Sequence, residues 1–319
     1  MLASRKALFP GMVCAVIFAL VPLFTKRNDI INLLVLIFLY ITLAQSWNIL
    51  AGYTGQVSLG HAAFFGLGAI ATRFLWVWGA PLLLAFPAGG IVAVIFALII
   101  GHPALRLKGI YFAIGTLALA QILKITVGNV LPTVADLPAN YVATYNLVPR
   151  YYLCLILAII VVAVVSLLSR SKVGLGMMAV REDEEAAKAA GINIFRQKTV
   201  AFGISSFFAG LAGGAFAFYQ VSYYHDLPFS PIWTFDALLI TFVGGVGTVV
   251  GPIIGAFFYV IFQELFLRTF PQLHVFVFGV LFILVILLLP GGLVEMAARI
   301  RGLISARPSG LDPHADSLN

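Results

Sequence analysis

The sequence predicts an all-α membrane protein that crosses the bilayer many times. Hydrophobic residues fill 62% of its 319 positions and charged residues only 10%, whereas soluble domains are about half apolar and about one-quarter charged. The mean hydropathy is +1.07. Apolar runs recur at close to the length of about 20 residues that crosses the hydrocarbon core as a helix. Because lipid offers no hydrogen-bond partner to an exposed backbone, these runs are expected to be helical.

About eight to ten transmembrane helices are expected from these runs. The predicted spans cover residues 8–24, 30–50, 64–78, 82–100, 109–127, 152–168, 199–219, 237–267 and 275–289. The first run lacks the small-residue cleavage site of a secretory signal peptide and is interpreted as a span. Residues 237–267 are too many for one straight span, so an interruption is expected there. Arg73 lies near the end of a span and is expected to reach the interface by extending its side chain.

The net charge of +7 does not indicate a nucleic-acid partner. The basic residues are scattered among the ends of apolar runs, as in the cytoplasmic loops of membrane proteins, rather than gathered on one face. The two cysteines, Cys14 and Cys154, lie within apolar runs and have no second cysteine or histidine at ligand spacing. The sequence therefore predicts neither a disulfide framework nor a metal site.

Residues 52–68, GYTGQVSLGHAAFFGLG, interrupt the apolar pattern with glycines and polar side chains. Such a composition is typical of a broken or re-entrant segment that lines a cavity between helices. Close helix packing through small residues uses the same glycines and is the alternative interpretation. The residues predicted to line a translocation path here are Gly52, Thr54, Gly55, Gln56, Ser58, Gly60 and His61.

A second glycine-rich break, residues 244–255, lies in the later half of the chain. Its Gly244, Gly247 and Gly251 echo the spacing of the first break, and each break is followed by a Phe-Phe pair. Interrupted segments at corresponding places in two halves of a transporter indicate a substrate pathway near the membrane midplane. These three glycines are therefore added to the predicted path.

Residues 170–198 form the one long polar stretch and contain ten charged residues. Within it, residues 181–190, REDEEAAKAA, predict one short helix, because acidic residues favour a helix N-terminus and alanine favours the helical state. Gly191 is expected to end this helix in the left-handed conformation. Lys188 is expected to pair with Glu184 and Glu185. The small alanine face suits docking into a partner's groove, while a solvated connecting loop is the alternative.

Catalytic motifs are absent from the sequence. It contains no phosphate-binding loop and no His-Glu-x-x-His, and its five histidines do not cluster. No catalytic residue and no bound cofactor are predicted, so transport against a gradient would draw energy from a partner ATPase or from coupled ions. Only Asp236 and Glu264 are candidate intramembrane acids, both near the ends of predicted spans. An ion-coupled secondary transporter is therefore the alternative of another class.

Several blocks of sequence together resemble a known family. They read, in order, GYTGQVSLGHAAFFGLGAI, LKGIYFAIGTLALAQIL, VREDEEAAKAAGIN, ISSFFAGLAGG, GGVGTVVGPIIGAFF and LLLPGGL. Over residues 43–293 the chain resembles the LivM-type permease subunits of branched-chain amino acid ABC importers. Glu185-Ala186-Ala187 with Gly191 is similar to the start of the EAA loop of ABC permeases. The later Ile-x-Leu-Pro part of that loop is missing, with Ala201, Gly203 and Ile204 in its place.

The resemblance implies a multi-pass permease in a bacterial inner membrane. Its implied partners are a second homologous permease, two ABC ATPases that bind ATP and Mg²⁺, a periplasmic binding protein that delivers leucine, isoleucine or valine, and membrane lipid. The ATPase-coupling residues would be Arg181, Glu184, Glu185, Ala186, Ala187 and Gly191. Departures in the external loop VLPTVADLPANYV and at residues 223–230 leave urea, amides or other amino acids as alternative substrates.

The domain organisation follows from the same resemblance. Residues 1–304 would form one transmembrane permease domain in which residues 170–198 are the cytoplasmic coupling loop. Residues 305–319 are rich in Pro, Ser, Gly and Asp and poor in apolar side chains. Such a composition cannot form a packed core, so this stretch is expected to be a disordered cytoplasmic tail.

The basic bias of residues 170–198 and of the C-terminus places both in the cytoplasm, and the proline-rich segment around Asp136 outside. Single cysteines at Glu182 and Ser309 should therefore react only with a reagent that reaches the cytoplasm, and one at Asp136 should react from outside. An impermeant maleimide applied to intact cells measures this directly. Labelling of position 182 in intact cells would contradict the assignment.

Overall fold

The computed structural model describes residues 14–25, 27–131, 134–136, 139–143, 145–269, 279–280, 283, 287 and 291–296. Most of the predicted span 275–289, the start of the span 8–24 and the predicted tail 305–319 lie outside the described residues. The helices are α1 (Cys14–Phe24), α2 (Asn28–Thr54), α3 (His61–Val77), α4 (Leu82–Ala104), α5 (Ile110–Val130), α6 (Ala139–Ala143), α7 (Leu147–Leu168), α8 (Lys172–Glu182), α9 (Glu184–Ala189), α10 (Ile194–Tyr219), α11 (Pro231–Gly244) and α12 (Gly251–Thr269). Two short strands, β1 (Val134–Asp136) and β2 (Ser222–Tyr224), pair antiparallel.

The all-α membrane architecture is confirmed. In the described part of the chain, six helices are long and apolar enough to cross a membrane, namely α2, α4, α5, α7, α10 and α12. The shorter apolar helices are α1, α3 and α11. The expected interruption of residues 237–267 is also confirmed, since α11 ends at Gly244 and α12 begins at Gly251.

Helices α2 and α10 form the centre of the bundle. Every residue of α2 from 37 to 54 is buried, and so is every residue of α10 from 208 to 218. By contrast, α4 and α5 expose isoleucines along their length, among them Ile95, Ile99 and Ile122. An apolar surface of this extent fits lipid, whereas two central helices buried on all sides fit a protein interior.

The directions of the helices follow from their contacts with α10. Tyr219 contacts Asn32 and Ser205 contacts Ser46, so α2 runs antiparallel to α10. His61 contacts Ser205, and Arg73 contacts the end of α10, so α3 runs parallel to it. Helices α2 and α3 therefore form a hairpin around α10. Helix α2 runs toward the end of the bundle that carries α8, and α3 runs back toward the opposite end.

Helices α11 and α12 form a second hairpin in the same orientation. Asp236 is hydrogen-bonded to Tyr259, and Gly255 packs against the carbonyl of Ile240, so the two helices are antiparallel. The hydroxyl of Thr241 on α11 lies 3.2 Å from the carbonyl of Ala44 on α2. Both hairpins therefore point their turns toward the α8 end of the bundle.

Arg73 caps the C-terminus of α10, and its interpretation as an interfacial side chain is wrong. The residue is only 2% exposed. Its guanidinium donates hydrogen bonds to the carbonyls of Ala217, Gln220 and Val221, at 2.9 to 3.1 Å. The last carbonyls of a helix lack partners within the helix and carry partial negative charge, which explains why a cation is stable at this buried place.

Candidate functional site

The two glycine-rich breaks lie against each other at the α8 end of the bundle. The first break is residues 55–60, between α2 and α3, and the second is residues 245–250, between α11 and α12. The side chain of Asn48 joins them. Its Oδ1 accepts from the N–H of Gly247 at 2.8 Å, and its Nδ2 donates to the carbonyl of Thr248 at 2.9 Å. Gln45 adds a third bond from its Nε2 to the carbonyl of Val249, at 2.6 Å.

Close approach of the two breaks requires glycine at particular positions. A Cβ on Gly52 would lie 2.7 Å from the amide nitrogen of Gly247 and 2.9 Å from its Cα, closer than packed carbon atoms tolerate. Gly55 and Gly247 also have positive φ angles, +70° and +77°, which side-chain-bearing residues disfavour. The glycine echo therefore marks two segments that meet in space.

The first break runs back along α2 as non-helical backbone before α3 begins. The indole Nε1 of Trp47 donates to the carbonyl of Ser58 at 2.8 Å, which places Ser58 about two turns above the end of α2. The N–H of Leu59 donates to the hydroxyl of Thr116 on α5. Helix α3 consequently starts inside the bundle, at His61. The broken segment expected from the sequence is thus present, and its role as a path lining stays a prediction.

His61 lies at this internal helix start and is fully buried. Its Nε2 is 2.7 Å from the Oγ of Ser205, whose own hydrogen is donated to the carbonyl of Ser46. Because a hydroxyl has one hydrogen to give, His61 must donate from Nε2, and in the neutral imidazole its Nδ1 is then an acceptor. This Nδ1 has no hydrogen-bond partner among the described residues, and neither has the buried Oε1 of Gln45 or of Gln56. Buried acceptors without a partner thus lie on α2, in the first break and at the start of α3.

Several of the residues predicted to line the path make contacts within the protein instead. The Thr54 hydroxyl donates to the Leu50 carbonyl within α2. Gly60 packs against the backbone of Thr116, and Gly244 packs against Gly251. The packing interpretation therefore accounts for Gly60, Gly244 and Gly251, which let backbones approach closely.

The polar loop contains two helices where the sequence predicts one over residues 181–190. Arg181 and Glu182 belong to the end of α8, and α9 begins after Asp183. Asp183 has extended backbone, and its carboxylate accepts from the N–H groups of Glu185 and Ala186 at 2.8 and 3.1 Å. The single-helix prediction is wrong because this aspartate acts as an N-cap, and an N-cap residue lies outside the helix that it starts.

The predicted glycine cap at the other end of α9 is confirmed. Gly191 has φ +82°. Its N–H donates to the carbonyl of Lys188, and the N–H of Ile192 donates to that of Ala187, which is the hydrogen-bond pattern of a Schellman motif. The chain therefore leaves α9 in a fixed direction.

The charges of α9 pair differently from the sequence-based expectation. Glu184 accepts from the Nζ of Lys198 at 2.6 Å, and Lys198 is buried on α10. The expected pairing of Lys188 with Glu184 is wrong, because Lys198 approaches from a different helix. Ala187 is buried, whereas Glu185, Ala186 and Lys188 are exposed. Helix α9 is thus fixed to α10 on one side and free on the other.

Comparison with known proteins identifies the family. Residues 29–286 match the family model described as branched-chain amino acid transport system / permease component. The chain belongs to this permease family. It is 28% identical over 306 residues to the high-affinity branched-chain amino acid transport system permease protein LivM of Escherichia coli, covering 86% of this chain and 72% of that one.

Two further relatives are also named as LivM permease proteins. LivM of Salmonella typhimurium is 27% identical, with 86% of this chain and 72% of the relative covered. The probable branched-chain amino acid transport permease protein LivM of Methanocaldococcus jannaschii is 26% identical, with 83% and 93% covered. No solved structure matches. The chain is thus a multi-pass membrane permease, and the resemblance found from the sequence blocks is confirmed.

Asp236 lies in the second turn of α11 and is buried. The apolar runs had placed it just before a span. The hydroxyls of Tyr40 and Tyr259 donate to its two carboxylate oxygens, at 3.0 and 2.6 Å. These bonds join α2, α11 and α12. The sequence showed an acid within an apolar run, but nothing in it pairs residue 236 with residues 40 and 259.

The contact between the breaks can be tested with Gly52→Ala. The added methyl group would push against Gly247 and against the Asn48 side chain that holds it, and overpacking of this kind costs about 1–3 kcal/mol. We expect a lower thermal unfolding temperature for the purified permease and lower transport by the complex.

Gly203→Ala is the matched control for this variant, because a Cβ at Gly203 meets nothing within 4 Å. Alanine in a helix is favoured over glycine by up to about 1 kcal/mol, so this variant should be as stable as the parent or more stable. Equal stability of Gly52→Ala and the parent would show that the two breaks do not need to touch.

Proposed function

We propose that this permease forms one half of the translocation path of an ATP-driven ABC importer for branched-chain amino acids. A second homologous permease completes the path, two ABC ATPases bind ATP and Mg²⁺ on the cytoplasmic side, and a periplasmic binding protein delivers the substrate. The chain itself carries no catalytic role in this proposal. The names of the three relatives support the substrate class.

The observation that carries the proposal is the meeting of the two breaks beside the polar loop. Unpaired backbone is costly in hydrocarbon, so broken helices occur inside membrane proteins where they line a cavity or are buried in protein. Here the breaks lie at the interface of two hairpins, beside the loop whose wording resembles the ATPase-docking loop of ABC permeases. In this proposal the breaks form part of the wall of the path, and the neighbouring loop moves that wall.

The chemistry of the first break fits an amino acid with an apolar side chain. The acceptors His61 Nδ1, Gln45 Oε1 and Gln56 Oε1 are buried and unpaired, and an α-ammonium group carries three N–H donors. The ring of His61 lies edge-on to Phe64, which adds an apolar surface beside the polar one. We propose that these acceptors take up the ammonium group during passage.

Helix α9 is suited to transmit force between the ATPases and the spans. Its Glu184 is tied to Lys198 on α10, and its exposed residues Glu185, Ala186 and Lys188 face away from the bundle. The capping bonds at Asp183 and Gly191 hold the helix as a short rigid body. A push on the exposed side therefore reaches α10 through a partly buried ion pair.

The substrate class can be tested by uptake into proteoliposomes that contain the complete complex and its binding protein. ATP-dependent uptake of labelled leucine, isoleucine and valine is the expected result. Labelled urea and acetamide serve as comparison substrates, because permeases of similar sequence carry such solutes. Uptake of urea or acetamide without uptake of the three amino acids would reject the proposed substrate.

The coupling role of α9 can be tested with Gly191→Val and Glu185→Lys. A β-branched residue disfavours the positive φ at position 191, and the charge reversal alters an exposed contact while leaving the spans unchanged. Both variants should insert normally, while uptake and ATP hydrolysis stimulated by the binding protein fall together.

Gly191→Asn and Glu185→Gln are the matched controls, since asparagine tolerates the left-handed conformation and glutamine keeps the shape of glutamate. They should retain more activity than Gly191→Val and Glu185→Lys. Wild-type hydrolysis and uptake in both test variants would show that α9 is only a connector.

A further inference from the structure

The side chain of Arg181 points into the bundle, away from the exposed surface of α9. Its Nη1 donates to the carbonyl of Gly52 at 2.7 Å. The same nitrogen lies 2.6 Å from the position that a Cβ on Gly247 would occupy, and its Cγ lies 3.3 Å from that of Gly55. One side chain from the polar loop therefore contacts both breaks at once.

The position of Arg181 matches the electrostatics of the end of α2. The carbonyl of Gly52 is among the last four of α2, which have no partner within the helix and carry partial negative charge. Gly247 lies next to the guanidinium and Gly55 next to the Cγ of Arg181, and neither has a side chain that would exclude the arginine. Two left-handed glycines and an unpaired carbonyl thus form a slot that fits an arginine from the loop.

Glu182 holds the guanidinium from the solvent side. Its Oε1 accepts from the Nε and Nη2 of Arg181, at 3.1 and 2.7 Å. The Arg181 side chain is 38% exposed and that of Glu182 is 70% exposed. The arginine is consequently bonded to the bundle through one nitrogen and to its own loop through two others, at the boundary between them.

We infer that Arg181 is a latch that holds the two breaks together at the α8 end, and that movement of α8 and α9 withdraws it and frees them. This inference rests on the proposed function, and it assigns Arg181 to control of the path rather than to contact with an ATPase. Asp183 connects α8 directly to α9. Arg181 is three positions before Glu184, the first residue of α9. A displacement of α9 therefore pulls on Arg181.

The latch predicts that loss of the arginine opens the packing at the breaks. Val243 lies two residues before the second break and is 1% exposed, so a cysteine there should react slowly in the parent. In Arg181→Ala its maleimide labelling rate should rise about tenfold or more, because labelling follows the population of locally opened molecules. The assay uses the whole complex in membrane vesicles, with Cys14 replaced by alanine.

Cys154 is an internal control, because it is buried on α7, away from both breaks. Its labelling should stay slow in Arg181→Ala if the effect is local. Arg170→Ala is the control variant, since Arg170 is an exposed arginine of the same polar stretch, and it should leave both rates unchanged. Arg181→Lys should give an intermediate labelling rate at position 243. The ammonium group of lysine keeps the positive charge, but it lacks the planar set of N–H donors with which arginine bonds Glu182 and Gly52 together.

Either of two outcomes would overturn the latch. The rate at position 243 could stay at the parent value in Arg181→Ala, or the rates at 243 and 154 could rise together, which would show general loosening of the fold. Because the labelling requires no transported substrate, its result is independent of the uptake test. Failure of the wild-type complex to carry leucine would reject the substrate and leave the latch to be judged by labelling alone.

Discussion

The bond between the Asn48 side chain and the backbone of the second break is the interaction on which the arrangement depends. A helix that is interrupted inside a membrane protein exposes N–H and C=O groups that lipid and apolar side chains cannot satisfy. The Asn48 amide has both an oxygen that accepts and an NH2 group that donates, and the second break uses both, at Gly247 and Thr248. The interruption of one hairpin is therefore stabilised by the intact helix of the other, and the two hairpins are joined at their turns.

Other buried polar residues follow the same rule. Arg73 bonds the final carbonyls of α10, and Asp236 accepts from two tyrosines on neighbouring helices. In each case a charged group is paired with polar groups that the helices would otherwise leave unpaired or poorly paired. Buried charges are tolerated under that condition and are costly without it. These residues tie separate helices together where apolar packing alone would allow them to slide.

The sequence predicted the spans and both breaks because these depend on local composition. A run of apolar residues or a cluster of glycines acts within one stretch of chain, as at Gly244 and Gly251. The bonds of Arg181 to Gly52, of Asn48 to the second break and of Asp236 to its two tyrosines could not be predicted, because each joins residues more than 20 positions apart. The division of the polar loop at Asp183 was missed for a different reason. An aspartate among acidic residues fits the first turn of a helix as well as the position before it.

The shape of the hairpins bears on how the chain is inserted during synthesis. The six residues of each break, GQVSLG and GVGTVV, contain no charge, so neither turn gives the insertion machinery a signal to retain it on one side. Each hairpin has both of its outer ends at one end of the bundle. The turns stay at the end of the bundle that carries α8, so the orientation of both hairpins depends on charged segments outside the breaks, such as residues 170–198 and the turn that contains Arg106 and Lys108. The glycines that allow the breaks to meet therefore leave the orientation of both hairpins to be set by the charged loops elsewhere in the chain.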